Sequence, residues 1–161
     1  MEQFRNYKIF KPIVSKGKTY VFSMNLNDYF QQNSGYWCAL PGKRGMMYLR
    51  VPGGLFHRKI LGAKKGEFVD HINRNTFDNT RDNLRIATVS ENNRNTTPRG
   101  KYKGIMYNKA NKNWRVRIHL NGKISEIGSF KKEEDAVKAW NDSVKNFHGD
   151  FSYYNTYKGE L

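Results

Sequence analysis

Short aromatic and β-branched runs, separated by turn-forming residues, make up the first third of the chain. The runs TYVFSM, GYWCAL and MMYLRV predict strands, and NSG and PGKRG between them predict hairpin connections. GLFHRKILGA then mixes apolar and basic positions and predicts a short helix that ends near Gly62. Residues 1–54 are therefore predicted to form a β-rich region.

The middle of the chain predicts the order strand, loop, strand, helix. EFVDH and NLRIAT are the two strands, and a long polar loop separates them. Thr88 is followed three residues later by Glu91, which is a capping box and predicts a helix that starts at Thr88 and runs through SENNRN. TTPRGKY, with Pro98 and Gly100, breaks this pattern and predicts a linker at residues 97–101.

The last third alternates apolar and basic side chains along one strand. In NWRVRIHL the set on one face is Trp114, Val116 and Ile118, and the set on the other face is Arg115, Arg117 and His119. The NG pair at 121–122 predicts a tight hairpin to the next strand, KISEIGSF. We therefore expect an antiparallel sheet with one apolar and one basic face.

A helix is predicted to cover the apolar face of this sheet. KKEEDAVKAWNDSVKNF places Ala136, Trp140, Val144 and Phe147 at helical spacing, and the acidic residues of its first turn suit the helix dipole. Both tryptophans of this region are expected in the core rather than in contact with bases. His148 is predicted to lie in a loop beyond the helix.

The charge of the chain favours a polyanionic partner. The 161 residues include 29 Lys and Arg against 14 Asp and Glu, for a net charge of +15. Residues 1–66 and 100–161 carry net charges of +10 and +5, whereas residues 67–99 are neutral. Nucleic acid is the partner that fits this excess best. A membrane partner is not expected, because the sequence shows no basic amphipathic helix.

Cysteine usage and hydropathy restrict the compartment and the kind of site. The one cysteine, Cys38, excludes an internal disulfide and a cysteine-rich zinc site, and its neighbours GYWCAL indicate a packed strand residue. The sequence contains neither a signal peptide nor an apolar run of 18 residues. We expect a soluble protein in a reducing, cytoplasmic environment.

The segment VDHINRNTFDNTRDNLRIATVSENNRN holds the candidate chemistry. Asp70 and His71 are adjacent at a strand end, Asn83 precedes the second strand, and Asn92 lies on the helix that follows. Phosphodiester hydrolysis needs an activated water, a base and a cation for the developing charge. Neutral histidine can take a proton near pH 7, and carboxylate and amide oxygens suit Mg²⁺ or Mn²⁺.

This segment resembles the HNH endonuclease motif in its phage and intron-encoded form. The resemblance implies that His71 is the general base, that Asp70 and Asn92 bind one divalent cation, and that Asn83 holds the loop of a ββα-metal core. Asn92 stands where many HNH proteins have histidine, which weakens the case for a soft zinc site. HRKI matches the short helix that commonly precedes the motif; His57 is interpreted as a packing residue.

Two arginines near the motif, Arg58 and Arg85, are candidates for phosphate contact, with solvated side chains as the alternative. Either interpretation leaves the proposed base and cation ligands unchanged.

The last third resembles an APETALA2-type DNA-binding domain, through the KGI strand, the WRVRI strand, IGSF and the Ala/Trp helix. That family lays its sheet in the DNA major groove. The outward positions carried over are Lys103, Arg115, Arg117, His119, Ile124 and Glu126. This chain lacks several arginine and tryptophan residues of the plant proteins, so their target preference does not transfer.

These patterns together predict an α+β protein in three parts. The parts are a β-rich N-terminal region at 1–54, a ββα-metal nuclease core at 55–96 and, after the linker, a three-stranded antiparallel sheet packed on one helix at 102–157.

The leading hypothesis is a metal-dependent DNA endonuclease of homing or phage type, encoded by a phage or mobile element and acting in a bacterial host. It would use one Mg²⁺ or Mn²⁺ ion, bind double-stranded DNA and no small-molecule substrate, and act as a monomer or homodimer. A non-catalytic DNA-binding regulator with a vestigial nuclease core is the alternative. RNA binding ranks last, because the sheet lacks the exposed aromatic pair of an RNA-stacking surface.

Overall fold

The chain forms two compact units that divide inside a helix, between Asn92 and Asn93. The structure is a computed structural model, and it describes residues 7–32, 35–120 and 122–159. Several small sheets and four short to medium helices make up these residues, so the α+β prediction is confirmed. Among them, no helix is both long enough and apolar enough to cross a bilayer.

Three elements in and beside the first sheet of the N-terminal unit were not predicted by the hydrophobic pattern. Strand β1 (Lys8–Ser15) pairs antiparallel with β2 (Lys18–Asn25), and helix α1 (Leu26–Gln32) follows β2 directly. Pro12 interrupts the β1 pattern, and the sheet order shows why it is tolerated: β1 is an edge strand. On the other side of β2 lies β7 (Asp78–Asn79), which pairs with it in parallel.

The second sheet is an antiparallel sheet of three strands, β3 (Cys38–Pro41), β4 (Met47–Val51) and β5 (Gly54–Leu55). The PGKRG segment joins β3 to β4, as predicted. The NSG prediction is wrong as a hairpin, because β2 and β3 belong to different sheets and α1 stands between them; Asn33 and Ser34 themselves lie outside the described residues. Helix α2 (Phe56–Leu61) ends at Gly62, whose φ of 64° closes it in the left-handed conformation.

The central segment follows the predicted order. Strands β6 (Phe68–His71) and β8 (Leu84–Ala87) pair antiparallel, and α3 (Val89–Arg94) follows. The capping box is formed in both directions: the Thr88 N–H donates to Glu91 Oε2 at 2.8 Å, and the Glu91 N–H donates to Thr88 Oγ1 at 3.2 Å.

One hydrophobic core joins the β-rich region to the central segment. Its buried members come from five strands and α2, and they include Phe22, Met24, Leu49, Phe56 and Leu84. The segments predicted as 1–54 and 55–96 therefore fold around common apolar contacts.

The C-terminal unit is a sheet in the order β11-β10-β9 with helix α4 packed on it. The elements are β9 (Ile105–Asn108), β10 (Asn113–Leu120), β11 (Lys123–Phe130) and α4 (Glu133–His148). Val116, Ile118 and Trp140 are buried between the layers, and Trp114 packs against them. The alternation along β10 is thus as predicted, apart from a bulge opposite Val116 and Arg117. Asn121 of the predicted NG turn lies outside the described residues.

Two predictions at the end of α4 are wrong. Phe147 is 53% exposed, and Val137 and His148 occupy the buried face instead, because Val144 and His148 continue the four-residue spacing set by Ala136. His148 is the last residue of α4 rather than a loop residue, and its Nε2 lies 3.3 Å from the carbonyl oxygen of His119.

Candidate active site

Asp70 and His71 are the last two residues of β6 and are both 5% exposed. Their partners across the hairpin are Arg85 and Leu84 of β8. The Asp70 carboxylate accepts hydrogen bonds at its Oδ2 atom from Arg85 Nε at 2.8 Å and Arg85 Nη2 at 2.7 Å. Arg85, a predicted phosphate contact, is therefore mostly engaged with a neighbouring carboxylate instead of being solvated.

The His71 ring lies among other rings and one amide. Its Nε2 is 3.3 Å from Oδ1 of Asn79, and it packs edge to face against His57 with ring centroids 5.2 Å apart. The ring centroid of Tyr48 lies 6.4 Å from that of His71. Burial lowers the pKa of His71, and the Asn79 hydrogen bond and the charges of Asp70 and Asp78 offset part of that shift. His71 is consequently neutral near pH 7, which is the state that accepts a proton.

Asn79 is the residue in this site that sequence reasoning missed. It is fully buried in β7, and its Nδ2 points toward the carbonyls of Thr76 and Phe77 at 3.4 Å each. Its Oδ1 can only accept, so it favours the His71 tautomer with hydrogen on Nε2 and an acceptor lone pair on Nδ1. No local signal separates Asn79 from the other asparagines of this segment, because its position depends on pairing with β2.

Asn83 closes the loop between β6 and β8. Its Oδ1 accepts the Asn73 N–H at 2.9 Å, and its Nδ2 donates to the carbonyl of Asp78 at 2.7 Å. Its main-chain oxygen accepts the Ile72 N–H at 2.8 Å. The side chain is buried and bonds both limbs of the loop, so it fixes the loop's shape.

Asn92 lies half-buried in α3, where its N–H donates to the Thr88 carbonyl at 3.0 Å. Among the described residues no group of three or more His, Cys, Asp or Glu side chains could hold a metal ion. The pair of Asp70 and Asn92 would offer one carboxylate and one amide oxygen. That donor set fits a hard cation such as Mg²⁺, which keeps waters and substrate phosphate oxygens in most of its positions. A carboxylate has enough lone pairs to accept from Arg85 and to bind a cation.

His57 and Arg58 of α2 support the surroundings of the site. His57 is 5% exposed, its ring packs on Tyr48, and its Nδ1 is buried with no hydrogen-bond partner within the described part of the chain. Burial, with His71 and Arg58 adding to it, lowers the pKa of His57 to about 3. The Arg58 guanidinium donates to the carbonyls of Glu67 at 2.6 Å and Lys64 at 2.9 Å, so it organises the turn before β6.

The outer face of the C-terminal sheet is basic but contains an acid. Arg115 Nη2 donates to Glu126 Oε2 at 2.6 Å, and Arg117 Nε lies 3.9 Å from the same oxygen. The predicted basic face therefore also presents the acid Glu126, within ion-pair distance of both arginines. His119 and Ile124 are exposed on the same sheet.

Lys103 is not among these outward side chains. Its Nζ donates to the carbonyls of Asn93, Arg94 and Thr96 at 2.8, 2.6 and 2.8 Å. Cations suit the C-terminal end of a helix, and Lys103 there binds the last carbonyls of α3. DNA contact by Lys103 stays a prediction.

Comparisons with known proteins match the segment of the chain that contains these residues. A family described as HNH endonuclease matches residues 55–94. A protein of Acanthamoeba polyphaga mimivirus, described as an uncharacterized HNH endonuclease, is 33% identical over 88 residues, which are 55% of this chain and 46% of that protein. The chain thus spans about half the length of that relative.

A second relative is protein 3.8 of Escherichia phage T7, which is 33% identical over 95 residues, or 56% of this chain and 77% of that protein. No solved structure gives a significant match. The segment matched to the HNH endonuclease family contains β6, the loop, β8 and α3, so the chain contains an HNH endonuclease family domain at residues 55–94.

Proposed function

We propose that this protein is a metal-dependent DNA endonuclease that hydrolyses phosphodiester bonds. The observation that carries the proposal is the state of His71: buried, neutral near pH 7 and bonded through Nε2 to an amide acceptor, within the segment that matches the HNH endonuclease family. His71 takes a proton from the attacking water through Nδ1, and Asn79 keeps the ring in the tautomer that allows it.

Asp70 and Asn92 hold one Mg²⁺ or Mn²⁺ ion in this proposal. When bound, such an ion stabilises charge on the phosphate and the leaving oxygen. Arg85 holds the Asp70 carboxylate in a fixed orientation and balances its charge in the absence of substrate. Asn83 is a positioning residue in this proposal, because it bonds both limbs of the loop.

The C-terminal unit binds duplex DNA through the outer face of its sheet, as in the APETALA2-like interpretation. Arg115, Arg117 and His119 provide the basic part of this face. Phosphate contacts would supply affinity, and side chains of the sheet would supply part of the sequence readout. The viral and phage relatives support a phage-type enzyme, of homing or other role, working as a monomer or homodimer.

The test is nicking of supercoiled plasmid by wild type and His71→Ala, each with Mg²⁺, Mn²⁺ or EDTA. General base catalysis contributes about 10²–10⁴-fold, so the variant should lose cutting by that factor. Its DNA affinity, measured by gel shift, should equal that of wild type. Metal-dependent cutting by His71→Ala at the wild-type rate would contradict the base assignment.

A DNA-binding regulator with a vestigial core is the second candidate. The observation in its favour is the close ion pair between Asp70 and Arg85, which a cation would have to share. Duplex binding by wild type without cutting, under every metal tried, would favour the regulator.

A further inference from the structure

Asp28 of α1 is a fully buried carboxylate in a strongly basic region. It is 0% exposed, and residues 1–66 contain just one other acid against twelve Lys and Arg. Arg81 encloses it: Nε donates to Oδ1 at 3.0 Å and to Oδ2 at 2.9 Å, and Nη2 donates to Oδ1 at 2.6 Å. A buried charge is tolerated when it is paired in this way, and the pairing fixes the geometry of both side chains.

The same stretch of the loop is bound to β2 at further points. The Arg81 N–H donates to Asn25 Oδ1 at 2.8 Å, and Ser23 Oγ donates to Asp78 Oδ1 at 3.0 Å. The Ser23 N–H donates to the Phe77 carbonyl at 2.8 Å. Residues 77–81 of the nuclease loop therefore lie along the end of β2 and the start of α1, some fifty residues earlier in the chain.

Asn79 sits between these anchors, and its Oδ1 faces His71 at 3.3 Å. Because Asp78 and Arg81 are held from outside the loop, the position of Asn79 follows from theirs. We propose that Asp28 is a positioning residue of the active site, acting through Arg81 on the loop that orients His71. The end of β2 and the start of α1 are then part of the catalytic scaffold. This inference rests on the proposed nuclease function.

The direct test is Asp28→Asn, which preserves size but removes the charge and turns one acceptor into a donor facing the guanidinium. Small displacements of a catalytic group lower turnover strongly, so kcat for nicking should fall about tenfold or more. KM and the Kd for DNA should stay at wild-type values, since no DNA contact is removed. Arg81→Lys, which keeps Asp28 charge-paired but loses the planar fork, should show the same split if Asp28→Asn fails to fold.

The matched control is Ile13→Ala, which truncates a buried apolar side chain of the same core and removes no hydrogen bond to the loop. It should lower Tm and leave kcat unchanged at temperatures well below Tm. A double variant, Asp28→Asn with Arg81→Lys, should lose no more kcat than the larger single loss, because both residues act through one contact. Hydrogen exchange should quicken at the loop amides of Arg81 and Asn83 in Asp28→Asn, and not in Ile13→Ala.

The outcomes separate this inference from the proposed function. If wild type cuts, His71→Ala does not, and Asp28→Asn retains wild-type kcat, the nuclease stands and the positioning role is overturned. Losses of kcat that add in the double variant, or that Ile13→Ala reproduces at equal Tm, also overturn it. If the wild-type protein does not cut DNA with any of the metals, the proposed function is wrong, and this inference is wrong with it.

Discussion

The two units of the chain bury polar groups in different ways. In the N-terminal unit, the buried Asn83 bonds the main chain, but three buried side chains bond other side chains: Asp28 with Arg81, Asp70 with Arg85 and His71 with Asn79. In the C-terminal unit, the buried side chains of His148, Ser152 and Asn155 bond nearby main-chain carbonyls.

The two kinds of hydrogen bond have different consequences for the positions of the side chains. A buried contact between two side chains fixes the orientation of both, and it is costly when half of it is removed. A side chain bonded to the main chain instead holds the fold together locally. The side-chain pairs of the N-terminal unit converge on the loop that carries the HNH residues, whereas the C-terminal unit displays its ionic groups on an open face.

The sharpest test of this contrast is to remove one arginine from each unit. Arg85→Ala leaves the buried Asp70 carboxylate without this partner, and breaking such a pair destabilises by about 3–5 kcal/mol. Arg115→Ala breaks an exposed pair and should change the free energy of unfolding little. Urea denaturation of both variants measures the difference, and equal losses would refute the contrast.

Acid should destabilise the N-terminal unit through His57. Its folded-state pKa is about 3, below the ordinary value of about 6.5, so between these values the unfolded chain takes up a proton that the folded chain does not. The contribution of neutral His57 to the free energy of unfolding is therefore fully present above pH 6.5. It is lost as the pH falls, by about 2 kcal/mol at pH 5.

The free energy of unfolding at pH 7 and pH 5 measures this loss. His57→Phe, which keeps a ring of similar size and cannot be protonated, is the matched variant and should have a smaller pH dependence than wild type. An unchanged pH dependence in His57→Phe would show that the acid sensitivity arises elsewhere.

Two buried asparagines allow the same contrast in catalysis. Asn79→Ala removes the acceptor at His71 Nε2 that favours the proposed tautomer, and kcat for DNA nicking should fall about tenfold, equivalent to ~1.4 kcal/mol of activation free energy. Asn155→Ala removes bonds to the main chain of Lys103 and should lower Tm while leaving kcat intact. Single-turnover kinetics on both variants measure these changes in kcat. A wild-type kcat in Asn79→Ala would show that Asn79 does not orient His71 for catalysis.

The sequence predicted the elements of the HNH segment because they depend on local patterns. It did not predict the positions that depend on pairing between distant segments. The capping box at Thr88 and the strand ending in Asp70 and His71 depend on neighbours in sequence, which is why the sequence predicted their order. Asn79 and Asp28 acquire their positions from β7 pairing with β2 and from Arg81, contacts about fifty residues apart that no periodicity reveals.

The same distinction applies to two basic side chains. Lys103, an outward position in the APETALA2-like resemblance, and Arg85, a candidate phosphate contact, each have an internal partner that the sequence pattern does not reveal, and their contact with DNA stays a prediction. Lys103 binds the carbonyl end of α3, and Arg85 binds Asp70 across the hairpin. In a chain with a net charge of +15, a basic residue near an acid or a helix end has a ready alternative to solvent.

The smallest expected effect concerns Glu126, the acid on the outer face of the C-terminal sheet. Hydrogen bonding to Arg115 lowers its pKa, so it remains an anion at pH 7 and competes with phosphate for Arg115 and Arg117. If this face binds DNA, Glu126→Gln should raise affinity a few-fold, and the salt dependence of log K should steepen by up to about 0.9 per additional phosphate contact.

Lys138→Gln, on the exposed side of α4, is the matched control and should leave affinity unaltered. Fluorescence anisotropy with duplex DNA across a salt series distinguishes the two. Unchanged affinity in Glu126→Gln would mean that the open face of the C-terminal unit is solvated surface, and that the chain engages DNA elsewhere.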